Sequence, residues 1–226
     1  NNNNQWLGQG SGAIPGTMVW DSYGAPTKAY MESVSSAGKA VGRSSISGAY
    51  LAVVYTFEGD GSLGVAQIPG LAGSTNDYAL GIDASGTMFS GSSQVAGSFV
   101  PWVSDGTTTT ALPLGGTFSG STYAYALSPD GKYAVGQDYT VAGREQAAFW
   151  DISSANPAEW TVTDLTTWAG DQGILGDFTR LSRAYSVGVN GDGNPVISGY
   201  GSTAAGTRGF VLTIPEPATA ILLVLG

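Results

Sequence analysis

The stretch AYALSPDGKYAVGQDYTVAGREQAAFWD, from Ala124 to Asp151, spells out one strand, a tight turn and two further strands. Ala126 and Leu127 end an apolar segment at Ser128, and Asp130-Gly131 then supplies a turn, because glycine reaches φ > 0 at no steric cost. Tyr133, Ala134 and Val135 return as a second strand that stops at Gly136, and a glycine there marks a bulge or a close backbone approach. A third strand closes on Ala148-Phe149-Trp150.

The same phrase occurs three more times. Ala29-Tyr30 leads through Val34 and Ser35 to Ala37-Gly38, then Lys39, Ala40, Val41 and Gly42; Tyr78-Ala79 leads through Gly81 and Ile82 to Ser85-Gly86, then Met88, Phe89 and Gly91. Ala184-Tyr185 leads through Val187 and Val189 to Asp192-Gly193, then Val196, Ile197 and Gly199. In all four the turn glycine (Gly38, Gly86, Gly131, Gly193) lies eight residues after the tyrosine (Tyr30, Tyr78, Tyr123, Tyr185), a register that chance does not supply. Third strands end in aromatic residues at Phe99-Val100-Pro101-Trp102 and Gly209-Phe210-Val211, and short fourth segments follow at 110–116 and 161–165.

These copies predict an all-β chain of repeated antiparallel units of three to four strands, propeller-like, with about four to five blades. The tyrosines are spaced 48, 45 and 62 residues apart, close to a blade repeat. The predicted division is a repeat-built β domain over 1–213, with a partial unit at 1–28, units near 29–77, 78–122, 123–183 and 184–213, and a tail at 214–226. The longest copy carries an insertion around Asn156 to Arg183, in which Trp160, Trp168 and Phe178 are expected to pack on the body. Gln5-Trp6-Leu7-Gly8 aligns with a second strand and Thr17-Met18-Val19-Trp20-Asp21 with a third, so both ends read as incomplete copies. Either they close one blade together within the chain, or they leave open edges that pair with another copy, head to tail.

The stretch Ala124 to Asp151 resembles the extracellular HAF repeat of exported bacterial proteins, a resemblance that covers most of residues 29–213. The tail IPEPATAILLVLG, from Ile214 to Gly226, resembles the PEP-CTERM sorting signal of Gram-negative surface proteins. Pro215, Glu216 and Pro217 form its rigid break, and Ala218, Ile221, Leu222, Leu223, Val224 and Leu225 belong to the apolar run behind it. That run is shorter than the about twenty residues of a bilayer span. The resemblance implies a secreted or cell-surface protein of a Gram-negative bacterium, processed by an exosortase-type enzyme. The same apolar run is also a candidate donor strand for self-assembly into filaments.

Composition narrows the partners. Of 226 residues only 11% are charged, and 8 Lys and Arg against 17 Asp and Glu leave a net charge of −9, which gives no footprint for a phosphate backbone. Nucleic acid is therefore not expected as a partner. The chain has no cysteine and no histidine, which removes disulfides, thiolate metal sites, His-ligated metals and the Ser-His-Asp triad.

Few residues then remain for chemistry. Glu32, Glu58, Glu145, Asp138 and Asp164 are the acids available for a glycosidase-type pair, but none stands in a motif, and turn or edge positions explain them as well. Asn190, Asp192 and Asn194 alternate with glycine like the opening of a calcium loop that lacks its closing glutamate; a plain hairpin turn fits equally. Gly8-Gln9-Gly10 lacks the strand, helix and lysine of a nucleotide loop. Accordingly, no catalytic, cofactor or metal residue is assigned. Trp20, Trp102 and Trp150 read as one recurring core position, while Tyr50, Tyr55, Tyr139 and Tyr200 fall near turns and edges where rings stack on sugars. The expectation is a non-enzymatic structural or adhesive component of the cell surface or extracellular matrix, with exopolysaccharide as a possible partner. The alternative is a secreted propeller-type carbohydrate-binding module or polysaccharide-acting enzyme.

Overall fold

The structure, a computed structural model, describes residues 9–11, 18–20, 28–46, 48–59, 63–115, 120–139 and 143–215. Strand accounts for 58% of it and helix for 6%, so the chain is all-β. Two short strands come first, β1 (Gln9–Ser11) and β2 (Met18–Trp20). The first unit holds β3 (Lys28–Val34), β4 (Lys39–Ile46), β5 (Ala49–Phe57) and β6 (Leu63–Gln67); the second holds β7 (Asp77–Ile82), β8 (Phe89–Val95), β9 (Ser98–Ser104) and β10 (Thr109–Ala111). The third holds β11 (Tyr123–Leu127), β12 (Tyr133–Tyr139), β13 (Glu145–Asp151) and β14 (Thr161–Asp164). A short helix α1 (Leu165–Asp171) leads to the fourth, with β15 (Phe178–Val189), β16 (Pro195–Thr203) and β17 (Gly206–Thr213).

Within each unit the strands lie side by side in chain order and antiparallel. The N-terminal segments join the first unit: β1 pairs antiparallel with β3, and β2 pairs parallel with β6. The sheets pack face on face in chain order, each first strand touching the next, from β3 to β7 to β11 to β15. No helix among the described residues is long and apolar enough to cross a membrane.

One turn chemistry starts every unit. Ser35, Asp83, Ser128 and Asn190 each accept from the backbone N–H four residues on, at Lys39, Thr87, Lys132 and Asn194, over 2.9 to 3.2 Å. Three residues after each of these caps stands the turn glycine at positive φ, as at Gly131 with φ 72°. The caps satisfy turn donors that would otherwise lie bare, which is why Ser, Asp and Asn recur there.

The first strands do not keep the simple two-residue alternation. Pairing slips between Ala124 and Ala126, between Ala79 and Gly81, between Met31 and Ser33, and between Ala184 and Ser186. The unpaired residue of each bulge is Tyr125, Leu80, Glu32 or Tyr185. Such a slip re-phases the side chains: Ala124 and Leu127 are both buried, as are Ala79 with Ile82 and Ala184 with Val187, at a spacing of three.

The core is a series of layers between neighbouring sheets. Trp102, fully buried, packs with Val41, Ala52 and Ala79 between the first and second units. Trp150, also fully buried, packs with Val103, Ala124 and Ala148 between the second and third, its Nε1 donating to Pro113 O at 2.9 Å. Phe149, Leu181 and Phe210 fill the third layer, where Leu165 and Ala169 anchor α1. Both tryptophans are thus core residues, but they do not share one register: Trp102 faces Gly91 and Trp150 faces Ala134, two residues from the equivalent glycine. The side chain of Trp20 lies outside the described residues. From the insertion, Trp160 packs on the second layer, and Trp168 and Phe178 on the third.

Candidate functional site: a tyrosine-lined cleft

The four bulged residues face one cavity. Glu32, Leu80, Tyr125 and Tyr185 line a cleft of about 430 Å³ together with Arg43, Tyr78 and Tyr123, so every unit contributes to it. A bulge next to a close-approach glycine is what aims these side chains. A Cβ on Gly136 would lie 1.8 Å from Tyr123 O, and the same contact recurs at Gly42, Gly91 and Gly199.

That contact also sets the equivalence of the copies, and it corrects the tyrosine register in the fourth. Gly199 meets the carbonyl of Arg183 and pairs with Ala184, as Gly136 pairs with Ala124. Arg183 therefore occupies the place of Tyr123, and Tyr185 that of Tyr125. The fourth hairpin runs further before its turn, and this restores the eight-residue spacing by a different route.

Around the cleft the aromatic rings form one unbroken series. Tyr30, Tyr50, Tyr78, Phe99, Tyr123, Tyr125, Tyr185 and Tyr200 follow one another with centroids 5.0 to 6.1 Å apart. Such separations are those of offset and edge-on ring pairs. The series passes over all four units. The four tyrosines singled out by the repeat, Tyr30, Tyr78, Tyr123 and Tyr185, all belong to it. Burial raises the phenol pKa of Tyr78, Tyr123, Tyr125 and Tyr200, so these rings stay neutral.

Two arginines are set into this series. The guanidinium carbon of Arg43 lies 4.5 Å from the centre of Tyr30, 4.7 Å from Tyr78 and 5.6 Å from Tyr50, while Nη1 pairs with Glu32 Oε1 at 2.9 Å. Arg183 pairs with Glu145, donates to Tyr185 Oη at 3.3 Å and lies 5.9 Å from the ring of Tyr200. Glu145 also accepts from Tyr200 at 2.9 Å and Tyr139 at 3.2 Å. The hydrogen bond from Arg183 comes first among the causes that hold its carboxyl below the usual range.

The acids considered for a catalytic pair are dispersed. Glu32 borders the cleft and is the carboxylate in its lining. Glu145 is held in the network just described, and Glu58 is exposed. Asp164 caps α1, accepting from the N–H groups of Thr166 and Thr167. Asp138 is fully buried and accepts from Thr122, with its second oxygen unpartnered; burial pushes its carboxyl up to about 6.

Other sequence candidates fall into place locally. Asn190 Oδ1 is taken by the N–H groups of Asp192 and Asn194, the same cap that the other three turns use, and no cluster of metal-ligating side chains occurs among the described residues. Gln9 and Gly10 lie in β1. Tyr55 is fully buried, its hydroxyl 3.2 Å from Ser44, and so is not a platform for sugars. Pro215 is the last described residue; Glu216, Pro217, Ala218 and the run of Ile221, Leu222, Leu223, Val224 and Leu225 lie outside the described residues. The sequence alone assigns no site role to Arg43, Leu80 or Arg183 and places Phe99 only in a third strand; the three-residue spacing of apolar positions is the signal for the bulges that gather the lining.

Known proteins define the architecture. No family model matches the chain, and no curated protein matches it either. Among solved structures, a protein assigned as TolB from Agrobacterium tumefaciens superposes with a TM-score of 0.51 at 12% identity, over 84% of this chain and 68% of that one. TolB from Acinetobacter baumannii gives 0.43 at 12% identity, over 79% of this chain and 41% of that one. The fold is propeller-like. At this identity the likeness concerns the fold alone, and the blade-like sheets of this chain are the four units built on β3, β7, β11 and β15.

Proposed function

We propose that this chain is a non-enzymatic adhesive component of the bacterial cell surface or extracellular matrix that holds a neutral exopolysaccharide in the tyrosine-lined cleft. The observation that carries the reading is the cleft itself, to which all four units contribute and into which three of them set rings, with Tyr78, Tyr123 and Tyr125 half-buried and Tyr185 exposed. Rings present apolar surface beside phenol hydroxyls, a combination suited to a sugar, which has apolar C–H faces and hydroxyl edges. The charges in the cleft and beside it are already matched, Glu32 by Arg43 in the lining and Glu145 by Arg183 next to the ring series. An anionic polymer would have to displace one of those acids, and the net charge of −9 would repel it. A single carboxylate in the lining supports binding over cleavage, since glycoside hydrolysis uses two facing acids.

In this reading the protein is exported, and Pro215, Glu216 and Pro217 with the apolar run behind them act as a sorting signal for an exosortase-type enzyme. The test is retention of the purified chain on neutral polysaccharide gels. Replacing Tyr125 and Tyr185 with alanine should abolish it; unchanged retention refutes the cleft as the binding site.

A second reading, self-assembly head to tail, is favoured by one feature. β9 and β13 each carry a fourth strand, β10 and β14, whereas β17 has no outer neighbour among the described residues. An open edge with Val211 71% exposed is a ready template for a strand from another copy. Electron microscopy of the full chain beside a chain lacking 214–226 tests it: filaments that persist after the deletion exclude the tail as donor.

A further inference from the structure

We propose that Arg43 and Glu32 together form the specificity element of the cleft, recognising two adjacent hydroxyls on a neutral pyranose unit; the inference rests on the polysaccharide reading above. The guanidinium of Arg43 is held among the rings of Tyr30, Tyr50 and Tyr78, so its plane is fixed before any ligand arrives. One of its nitrogens is bound to Glu32 at 2.9 Å, and both side chains border the cavity while keeping 21% and 30% of their surface. Arginine only donates and an ionised glutamate only accepts. Side by side they offer a donor and an acceptor at hydrogen-bond separation. A vicinal diol complements this: one hydroxyl accepts from Arg43 while its neighbour donates to Glu32. A lone hydroxyl satisfies half of the pair, and a carboxylate faces Glu32 with like charge.

The structure disfavours an extended peptide in the same place. A peptide strand needs a regular open edge to add to, and the first strands that border the cleft are interrupted by bulges at Glu32, Leu80, Tyr125 and Tyr185. A bulge breaks the ladder that strand addition would extend. Carbohydrate needs no such ladder. The rings of Tyr125 and Tyr185, 5.3 Å apart, share the cavity lining with Arg43 and Glu32 and offer apolar surface to the same chain.

Periodate chemistry tests this on the unaltered protein, because periodate cleaves the bond between carbons bearing adjacent hydroxyls. The full chain is measured by affinity electrophoresis against dextran, against dextran oxidised with periodate and reduced with borohydride, and against linear laminaran, whose internal units lack adjacent free hydroxyls. Native dextran should bind about tenfold more tightly than either other polymer, the scale of one or two hydrogen bonds to charged groups. Glu32→Gln and Arg43→Lys should reduce that ratio towards one by weakening native dextran more than laminaran, whereas a purely structural role would weaken all three polymers equally. Equal binding of native and oxidised dextran, or a ratio that survives Glu32→Gln, overturns this inference alone. Failure of the wild-type chain to bind any of the polymers, or capture of a proline-rich peptide that Tyr185→Ala abolishes, overturns it together with the polysaccharide reading.

Discussion

Gly136 on β12 sits directly against the carbonyl of Tyr123 on β11, so that a methyl group on the glycine would come within 1.8 Å of that oxygen. The contact joins the bulge of the first strand to the second strand and aims Tyr123 and Tyr125 at the cleft. Gly136→Ala should therefore destabilise the protein by about 3 kcal/mol or more, because backbone on both sides must move. Gly188, in β15, has nothing within 4 Å of its Cβ position, and Gly188→Ala should stay within about 0.5 kcal/mol. Urea unfolding of the two variants checks the contrast; equal losses would show that the close approach is not what holds the register.

Tyr185 is 49% exposed although it belongs to the ring series. Tyr185→Ala should change stability by no more than about 1 kcal/mol yet lower retention on neutral polysaccharide about tenfold, the scale of one aromatic contact. Melting temperature and gel retention, read on the same preparation, separate the two effects.

Asp138 carries a pH signature opposite in sign to that of most acids. Burial raises its folded-state pKa from 3.8 to about 6, so the folded protein binds the extra proton between those values. Its contribution to stability is present in full below the unfolded pKa and is lost as pH rises through about 6, a change of roughly 2–3 kcal/mol. Asp138→Asn keeps an acceptor for Thr122 and cannot titrate. The difference in unfolding free energy between wild type and Asp138→Asn should move in favour of the variant between about pH 4 and pH 6. A flat difference across that window would mean that Asp138 is solvated.

Val211 projects from the outermost described strand of the fourth unit and is 71% exposed. A charge on an edge strand opposes pairing with another chain. Val211→Lys should reduce self-association in sedimentation velocity without changing stability by more than about 0.5 kcal/mol. Undiminished association would place the contact elsewhere.

Much of the architecture is legible in the residues because it depends on local chemistry. Gly38, Gly86, Gly131 and Gly193 announce turns that only a residue tolerant of positive φ makes without strain, and all four adopt it. The caps at Ser35, Asp83, Ser128 and Asn190 are equally local, as each bonds within its own turn. Gly42, Gly91, Gly136 and Gly199 likewise announced a close approach, and each has one. From those signals alone the chain determines repeated antiparallel units and hence a blade-like fold.

The tertiary structure decided the rest. Tyr185 shares an eight-residue spacing with Tyr30, Tyr78 and Tyr123, but spacing along a chain does not reveal which carbonyl a distant glycine meets, and Gly199 meets Arg183. Trp102 and Trp150 look alike in sequence and face different partners, since each fills whatever space its own pair of sheets leaves. The cleft was beyond sequence reading for the same reason: Glu32, Leu80, Tyr125 and Tyr185 come from four units and converge only when the sheets pack. A hairpin is written in a few adjacent residues, whereas a site assembled from bulges across four sheets exists only once long-range packing has brought them together.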